Sequence, residues 1–297
     1  MAILSLLFWW VGPAAILKQY AYIAWQPLVG VALTLVVQFW MYLKRWQLIA
    51  ETLAGQPLPA GHLARALGAG FLYGQFLPAS VGGDLVRVAA VGRRAGVRVA
   101  MLSVVADRLS GLAVLCAIIA VLAPFIAVRL EAPTVVVAGI AVAVVIGLPA
   151  MLLLIRFRPA PIRSLLARLP YVEDLGRSVF GQTVALPVFV LGLGVNLTPV
   201  VLFYLLARSI GVELAIVDCL LVVPPAMLLT ALPISLAGWG VREGAMAGGF
   251  ALLGVAPASV VPVSVLFGLT GPLIGLAYAL TMPFLGGDDA EELGRKS

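Results

Sequence analysis

Apolar runs of membrane-crossing length, separated by short charged segments, dominate this 297-residue chain. Such runs lie at roughly 2–17, 27–48, 100–128, 134–155, 182–207 and 260–284. A helix needs about 20 mostly apolar residues to cross a bilayer, so these runs predict transmembrane helices. Two further apolar stretches, 62–92 and 216–255, are interrupted near the middle by Pro, Gly and a cation. Each of these predicts two short helices joined by an irregular turn.

The two interruptions are copies of one another. Leu77-Pro78-Ala79-Ser80-Val81-Gly82-Gly83-Asp84-Leu85-Val86-Arg87 returns 155 residues later as Leu232-Pro233-Ile234-Ser235-Leu236-Ala237-Gly238-Trp239-Gly240-Val241-Arg242. Leu, Pro, Ser, Gly, Val and Arg recur at the same offsets. Many carriers build a binding site near the bilayer midplane from a duplicated helix-breaking element of this kind.

Charge sets the direction of each run. Place Met1 in the cytoplasm and let each interrupted stretch return to the side it entered. Lys44, Arg45, Arg65, Arg93, Arg94, Arg98, Arg156, Arg158, Arg163, Arg168, Arg177, Arg295 and Lys296 then lie inside, against Lys18, Arg129 and Arg208 outside. That is the asymmetry expected of cytoplasmic loops. The first interrupted stretch then enters from the cytoplasm and the second from outside, and the spans flanking them match in order but run in opposite directions. The predicted fold is all-α: a polytopic integral membrane protein of about six transmembrane helices plus two re-entrant helical hairpins, in an inverted-topology repeat. Residues 1–155 form the N-terminal half with the hairpin 62–92, and 182–287 the C-terminal half with the hairpin 216–255. Between them, 156–181 is a basic cytoplasmic linker, read either as an amphipathic helix on anionic lipid or as a solvated loop. Residues 288–297 form a polar tail. Both termini are expected on the cytoplasmic side. The first run lacks a basic flank and a cleavage site, so it reads as a retained helix and not a signal peptide.

Composition agrees: 63% of residues are hydrophobic and 11% charged, against about 25% charged in soluble domains. The net charge of +6 is accounted for by the cytoplasmic loops, so nucleic acid is not an expected partner. Cys116 and Cys219 lie in apolar runs and read as small core residues. The single histidine, His62, reads as interfacial, and no ligand spacing calls for a metal or cofactor. No residue stands out as catalytic, and no nucleotide-binding loop is present.

The charged positions inside apolar sequence carry the chemistry. The Gly82-Gly83 and Gly238-x-Gly240 turns are expected to face a cavity and aim main-chain N–H groups at a ligand. Arg87 and Arg242, about one turn into the helices that follow, suit a phosphodiester or carboxylate, because a guanidinium offers paired donors to two oxygens. The alternative is a helix-breaking turn whose arginine only snorkels to the interface. Asp84, three residues before Arg87, forms an internal ion pair or meets the ligand. Glu243 follows Arg242 directly. Asp107 and Arg108 sit inside the 100–128 run, where charge demands a partner or a function; Asp107 pairs with Arg87 or Arg93, or contacts substrate. Trp239 is expected to floor the cavity, and Ser80 and Ser235 complete the two motifs. Arg45-Trp46 reads as an interfacial anchor, and Asn196 as a packing hydrogen bond or a ligand contact.

Leu77–Arg87, Asp107-Arg108-Leu109-Ser110-Gly111-Leu112 and Leu232–Glu243-Gly244-Ala245 resemble blocks of the lysylphosphatidylglycerol synthase transmembrane, or flippase-like, family. Arg45-Trp46 matches a weaker signature of it, and Ala237 stands where a glycine is common. The resemblance implies a domain that moves aminoacylated phospholipid or another lipid-linked polar head between leaflets. It implies functional roles for Asp84, Arg87, Asp107, Arg108, Arg242 and Glu243. Fused members also make their lipid; this chain ends at Ser297 without a synthase domain, so that activity does not carry over. The expected function is therefore lipid translocation without enzymatic chemistry, acting on a membrane phospholipid or lipid-linked substrate with an anionic headgroup. Its expected protein partners are a separate lipid synthase and a second copy in a homodimer. The alternatives are a membrane-embedded transferase on a lipid-linked substrate and a non-catalytic partner of a lipid-synthesising enzyme.

Overall fold

A computed structural model describes residues 20, 23–74, 81–129, 178–179, 181, 183–231 and 238–285. All regular structure among them is helical: α1 (Trp25–Ala54), α2 (Ala60–Tyr73), α3 (Val81–Ala95), α4 (Val97–Arg129), α5 (Ala185–Ser209), α6 (Ile216–Thr230), α7 (Val241–Ala251) and α8 (Pro257–Leu285). Four of these, α1, α4, α5 and α8, are long and apolar enough to cross a membrane, and they match the expected runs 27–48, 100–128, 182–207 and 260–284. The chain is a multi-pass α-helical membrane protein. The runs 2–17 and 134–155, the basic linker apart from a few residues, and the tail lie outside the described residues.

Both interrupted stretches are pairs of short helices. At 1.5 Å per residue, the 14 and 15 residues of α2 and α3 reach about 21–22 Å, and the 15 and 11 of α6 and α7 about 22 and 16 Å. All four fall short of a hydrocarbon core of about 30 Å. Each pair is an antiparallel hairpin. In the first, Gly70 meets Gly83 near the tip, and His62 Nε2 donates to Ala90 O at 3.0 Å near the base. In the second, Gly238 faces Thr230 near the tip and Gly249 faces Val222 further down.

Long helices α1 and α5 also run antiparallel, since Gly30 packs on Leu205 and Gly194 on Met41. One end of the bundle therefore holds the start of α1 and the end of α5, joined by Ala24 N–H donating to Ser209 O at 2.8 Å. The second hairpin starts at that same end, where Arg129 from the end of α4 meets Asp218 of α6 at 3.4 Å. The first hairpin starts at the opposite end, where Leu58 N–H and the Gln47 amide both donate to Glu51 at the end of α1. Exchanging α1–α4 with α5–α8 maps the packing onto itself. Thus α2 packs on α8 as α6 packs on α4, and α3 lies on α4 as α7 lies on α8.

Close approach holds these helices together, because lipid tails are as apolar as leucine and apolar contact between helices gains little over contact with lipid. Gly83 lies so near the Gly70 carbonyl that a Cβ there would come within 2.5 Å of its oxygen. Gly275 brings α8 onto the α2 backbone at Leu72 in the same way. Between the second hairpin and α5, Phe203 stacks on Phe250 with centroids 5.5 Å apart and meets Phe267 edge-on at 5.9 Å. Trp46 is fully buried in the first half's cluster, among Leu63, Leu67 and Val91.

Candidate functional site

A cavity of about 580 Å³ lies between the two hairpins, and all eight helices contribute to its wall. One face of α1 supplies Gln38, Tyr42 and Arg45, at the spacing that places side chains on one side of a helix. The first hairpin adds Gly83, Asp84 and Arg87, α4 adds Asp107, Arg108 and Gly111, and α5 adds Asn196. From the second half come Thr230, Arg242, Phe267, Gly268 and Thr270. Arg87 and Arg242, 155 residues apart in sequence, thus border one chamber.

Around Arg87 the charges interlock. Asp107, 2% exposed, accepts from Arg45 Nε at 2.9 Å on one oxygen and from Arg87 Nη2 at 2.8 Å on the other. Asp84 faces Arg87 Nη1 at 3.6 Å and accepts from Arg108 Nε at hydrogen-bond distance. The Arg87 guanidinium lies over the Trp46 ring, 4.2 Å from its centroid, and the indole Nε1 donates to Ser103 Oγ at 3.2 Å. Three guanidinium groups thus share two carboxylates. Of the Asp107 partners weighed in the sequence, Arg87 is the one it pairs with.

Around Arg242 the arrangement is local. Glu243, with no exposed surface, accepts from Arg242 Nε at 3.0 Å and Nη2 at 2.5 Å on one oxygen. Its other oxygen accepts the Gly240 N–H at 2.5 Å, so the carboxylate reaches back to the residue that precedes α7. The Arg242 guanidinium sits over Trp239 at 4.6 Å and beside Phe267 at 5.9 Å. Room for it comes from Gly268, where a Cβ would lie 2.0 Å from Arg242 Nη2. In the first half Gly111 serves Arg45 similarly, with 3.1 Å between such a Cβ and Nη1.

Several expectations need correction. Arg45-Trp46 is no interfacial anchor: Arg45 is 3% exposed, and its partner Asp107 lies 62 residues away. Gly82 and Gly83 do not form a turn ahead of the helix; α3 already starts at Val81, and Gly83 serves the crossing with α2. Arg87 is therefore the seventh residue of its helix, whereas Arg242 is the second of its own, so neither lies one turn in. Gly238 and Gly240 do turn, with φ of 81° and 86°, but neither lines the cavity, and the Gly240 N–H is taken by Glu243. Trp239 lies under Arg242 and is not part of the cavity wall. Ser80 and Ser235 lie outside the described residues. Asn196 donates to the Gly111 and Gly192 carbonyls at 3.2 and 2.9 Å and also borders the cavity.

Sequence reasoning missed Gln38, Tyr42 and Gly268. The first two carried a signal, being polar positions in helical register with Arg45 along an apolar run. Gly268 carried none, since nothing local distinguishes it from the other glycines of its run.

No curated protein matches the chain. The broken hairpins, the paired arginines and the blocks that contain them fall within a region that one family model spans almost from end to end. This chain belongs to the family described as the lysylphosphatidylglycerol synthase TM region, whose model matches residues 1–278.

Proposed function

We propose that this chain is a lipid translocator that carries an anionic polar head between leaflets while the acyl chains remain in the bilayer. Its family is one of membrane proteins related to lipid synthesis and flipping. The observation that carries the reading is the shared chamber: two arginines, one from each broken hairpin, border a single cavity of about 580 Å³. The proposed architecture is an inverted-topology repeat with re-entrant hairpins entering from opposite leaflets. Short hairpin helices, hairpin bases at opposite ends of the bundle, antiparallel α1 and α5, and packing that maps onto itself between halves support it. Two leaflet-facing gates around one fixed site is the geometry that alternating access requires. The proposed setting is a bacterial inner membrane with both termini cytoplasmic.

Arg87 and Arg242 offer donors to the phosphate, and Asp84, Asp107 and Glu243 hold the guanidinium groups in place. The chemistry proposed is binding and release, with no covalent step. The test is movement of an acyl-labelled anionic phospholipid in vesicles that contain the purified protein. Arg242→Ala and Arg87→Ala are each expected to slow it about tenfold or more, from the loss of a charge-assisted contact. Thermal unfolding in detergent separates loss of function from loss of fold, and the Arg→Lys variants, which keep charge without the fork, should fall between. Wild-type movement in both alanine variants would refute the proposal.

A further inference from the structure

We infer that Arg45 is a third ligand-binding arginine of the chamber, offering the Nη end of its guanidinium to an oxyanion of the headgroup, a role that takes its ligand from the translocator reading. Arg45 is 3% exposed and borders the cavity. Only its Nε makes a hydrogen bond, donating to Asp107 at 2.9 Å. Nη1 is buried without a hydrogen-bond partner, and Nη2 makes no hydrogen bond among the described residues. A planar guanidinium that aims Nε–H at Asp107 aims both Nη1 hydrogens away from it. Asp107 therefore answers the charge of Arg45 and leaves its far end without an acceptor. The Arg87 Nε, in the guanidinium on the other Asp107 oxygen, is buried without a partner as well. Buried donors of this kind are few in native structures, and the usual remedy is an acceptor brought in from outside the chain.

The place of that end singles it out. A Cβ on Gly111 would lie 3.1 Å from Nη1 and 3.3 Å from Nη2, so both nitrogens lie against a bare stretch of α4 that borders the cavity. Arg242 is seated in the same way in the second half. It gives Nε and Nη2 to a single Glu243 oxygen, makes no hydrogen bond through Nη1 among the described residues, and occupies the space left by Gly268 of α8. The sequence repeat pairs Arg242 with Arg87, whereas the seat against a glycine of a long helix pairs it with Arg45. Arg87 is turned toward carboxylates instead, with Nη2 on Asp107 and Nη1 3.6 Å from Asp84. Two adjacent Nη groups match two oxygens of a phosphodiester side by side, a fit that a lysine ammonium does not reproduce.

Two lipids test this role: phosphatidylmethanol, an anionic phosphodiester, and its methyl triester, which has no charge. Competitive retention on the detergent-purified full chain, read by native mass spectrometry, gives the preference for diester over triester. Arg45→Lys keeps a cation beside Asp107 and removes the fork. It should lower that preference about tenfold, the worth of one charge-assisted hydrogen bond, with an unfolding midpoint near that of wild type. Gly111→Ala keeps every charge and crowds both Nη groups, so it should lower the preference in the same direction. A role confined to holding Asp107 would change stability and leave the preference at its wild-type value. Where Arg45→Lys does not fold, Gly111→Ala decides. An unchanged preference in the deciding variant overturns the assignment, as does a wild type that retains both lipids equally or neither. A lowered preference, with no movement of acyl-labelled phosphatidylmethanol by the wild type in phosphatidylcholine vesicles, upholds the role of Arg45 and overturns the translocator reading alone.

Discussion

Asp107 answers two buried guanidinium groups with one carboxylate, and no other carboxylate among the described residues contacts Arg45. Asp107→Asn removes the charge that both need while keeping the shape. It is expected to lower stability by about 3–5 kcal/mol, the range for breaking a buried pair, read as a fall in the detergent unfolding midpoint. Arg108→Ala, at a half-exposed side chain, should change that midpoint by no more than about 1 kcal/mol. Gly268→Ala acts differently, because the new methyl would occupy the place of Arg242 Nη2 and detach the guanidinium from Glu243. Its expected cost of about 1–3 kcal/mol should largely vanish when Arg242→Ala is made first. A double-mutant cycle measures that coupling, and additive effects would show that the two side chains do not compete. The charged residues were legible individually, since charge inside an apolar run marks itself. Their pairing was not. Arg45 beside Trp46 fits the statistics of an interface, and only the fold brings in Asp107 from 62 positions away.

Helices in this protein meet at glycines, and the contacts are graded. A Cβ on Gly83 would lie 2.5 Å from the Gly70 carbonyl oxygen, backbone against backbone, so only opening the hairpin relieves it. A Cβ on Gly70 would stand 3.2 Å from the Gly83 oxygen, which a small shift accommodates. Exposed Gly61 and Gly248 have no described atom within 4 Å of such a Cβ. Unfolding midpoints of the four alanine variants should therefore rank Gly83 lowest and Gly70 next. Gly61→Ala and Gly248→Ala should match or exceed wild type by up to about 1 kcal/mol, the helix preference of alanine over glycine. A drop at Gly83 no larger than at Gly70 would show that the crossing is loose. The hairpins were legible as elements, since Pro and Gly break apolar runs visibly. Their start points were not: the repeated motif suggests equivalent turns, yet α3 begins at Val81, five positions before the counterpart of Val241, where α7 begins. Gly82 and Gly83 are in the helix because Gly83 packs on Gly70, a contact with no counterpart in the second copy's local sequence.

At the scale of the molecule, two independent lines support the proposed inverted arrangement. From the basic residues, the connection after α1 is expected in the cytoplasm and that after α5 outside. Contacts place the start of α1, the ends of α4 and α5 and the base of the second hairpin at one end of the bundle, and the base of the first hairpin at the other. The hydropathy pattern alone does not yield the second line, because it rests on which faces of α1 and α5 meet. If both lines describe one molecule in a membrane, exposed Gln56, between α1 and α2, and exposed Glu213, between α5 and α6, lie on opposite sides. With Cys116 and Cys219 replaced by alanine, Gln56→Cys and Glu213→Cys supply one reporter each. A membrane-impermeant maleimide added to intact cells should label the cysteine at 213 and leave the one at 56 unlabelled until the membrane is opened. Labelling of both from the same side would mean that the hairpins enter from one leaflet. Arg87 and Arg242 would then border a pocket with a single entrance, and a headgroup could bind there but would have no second side on which to leave.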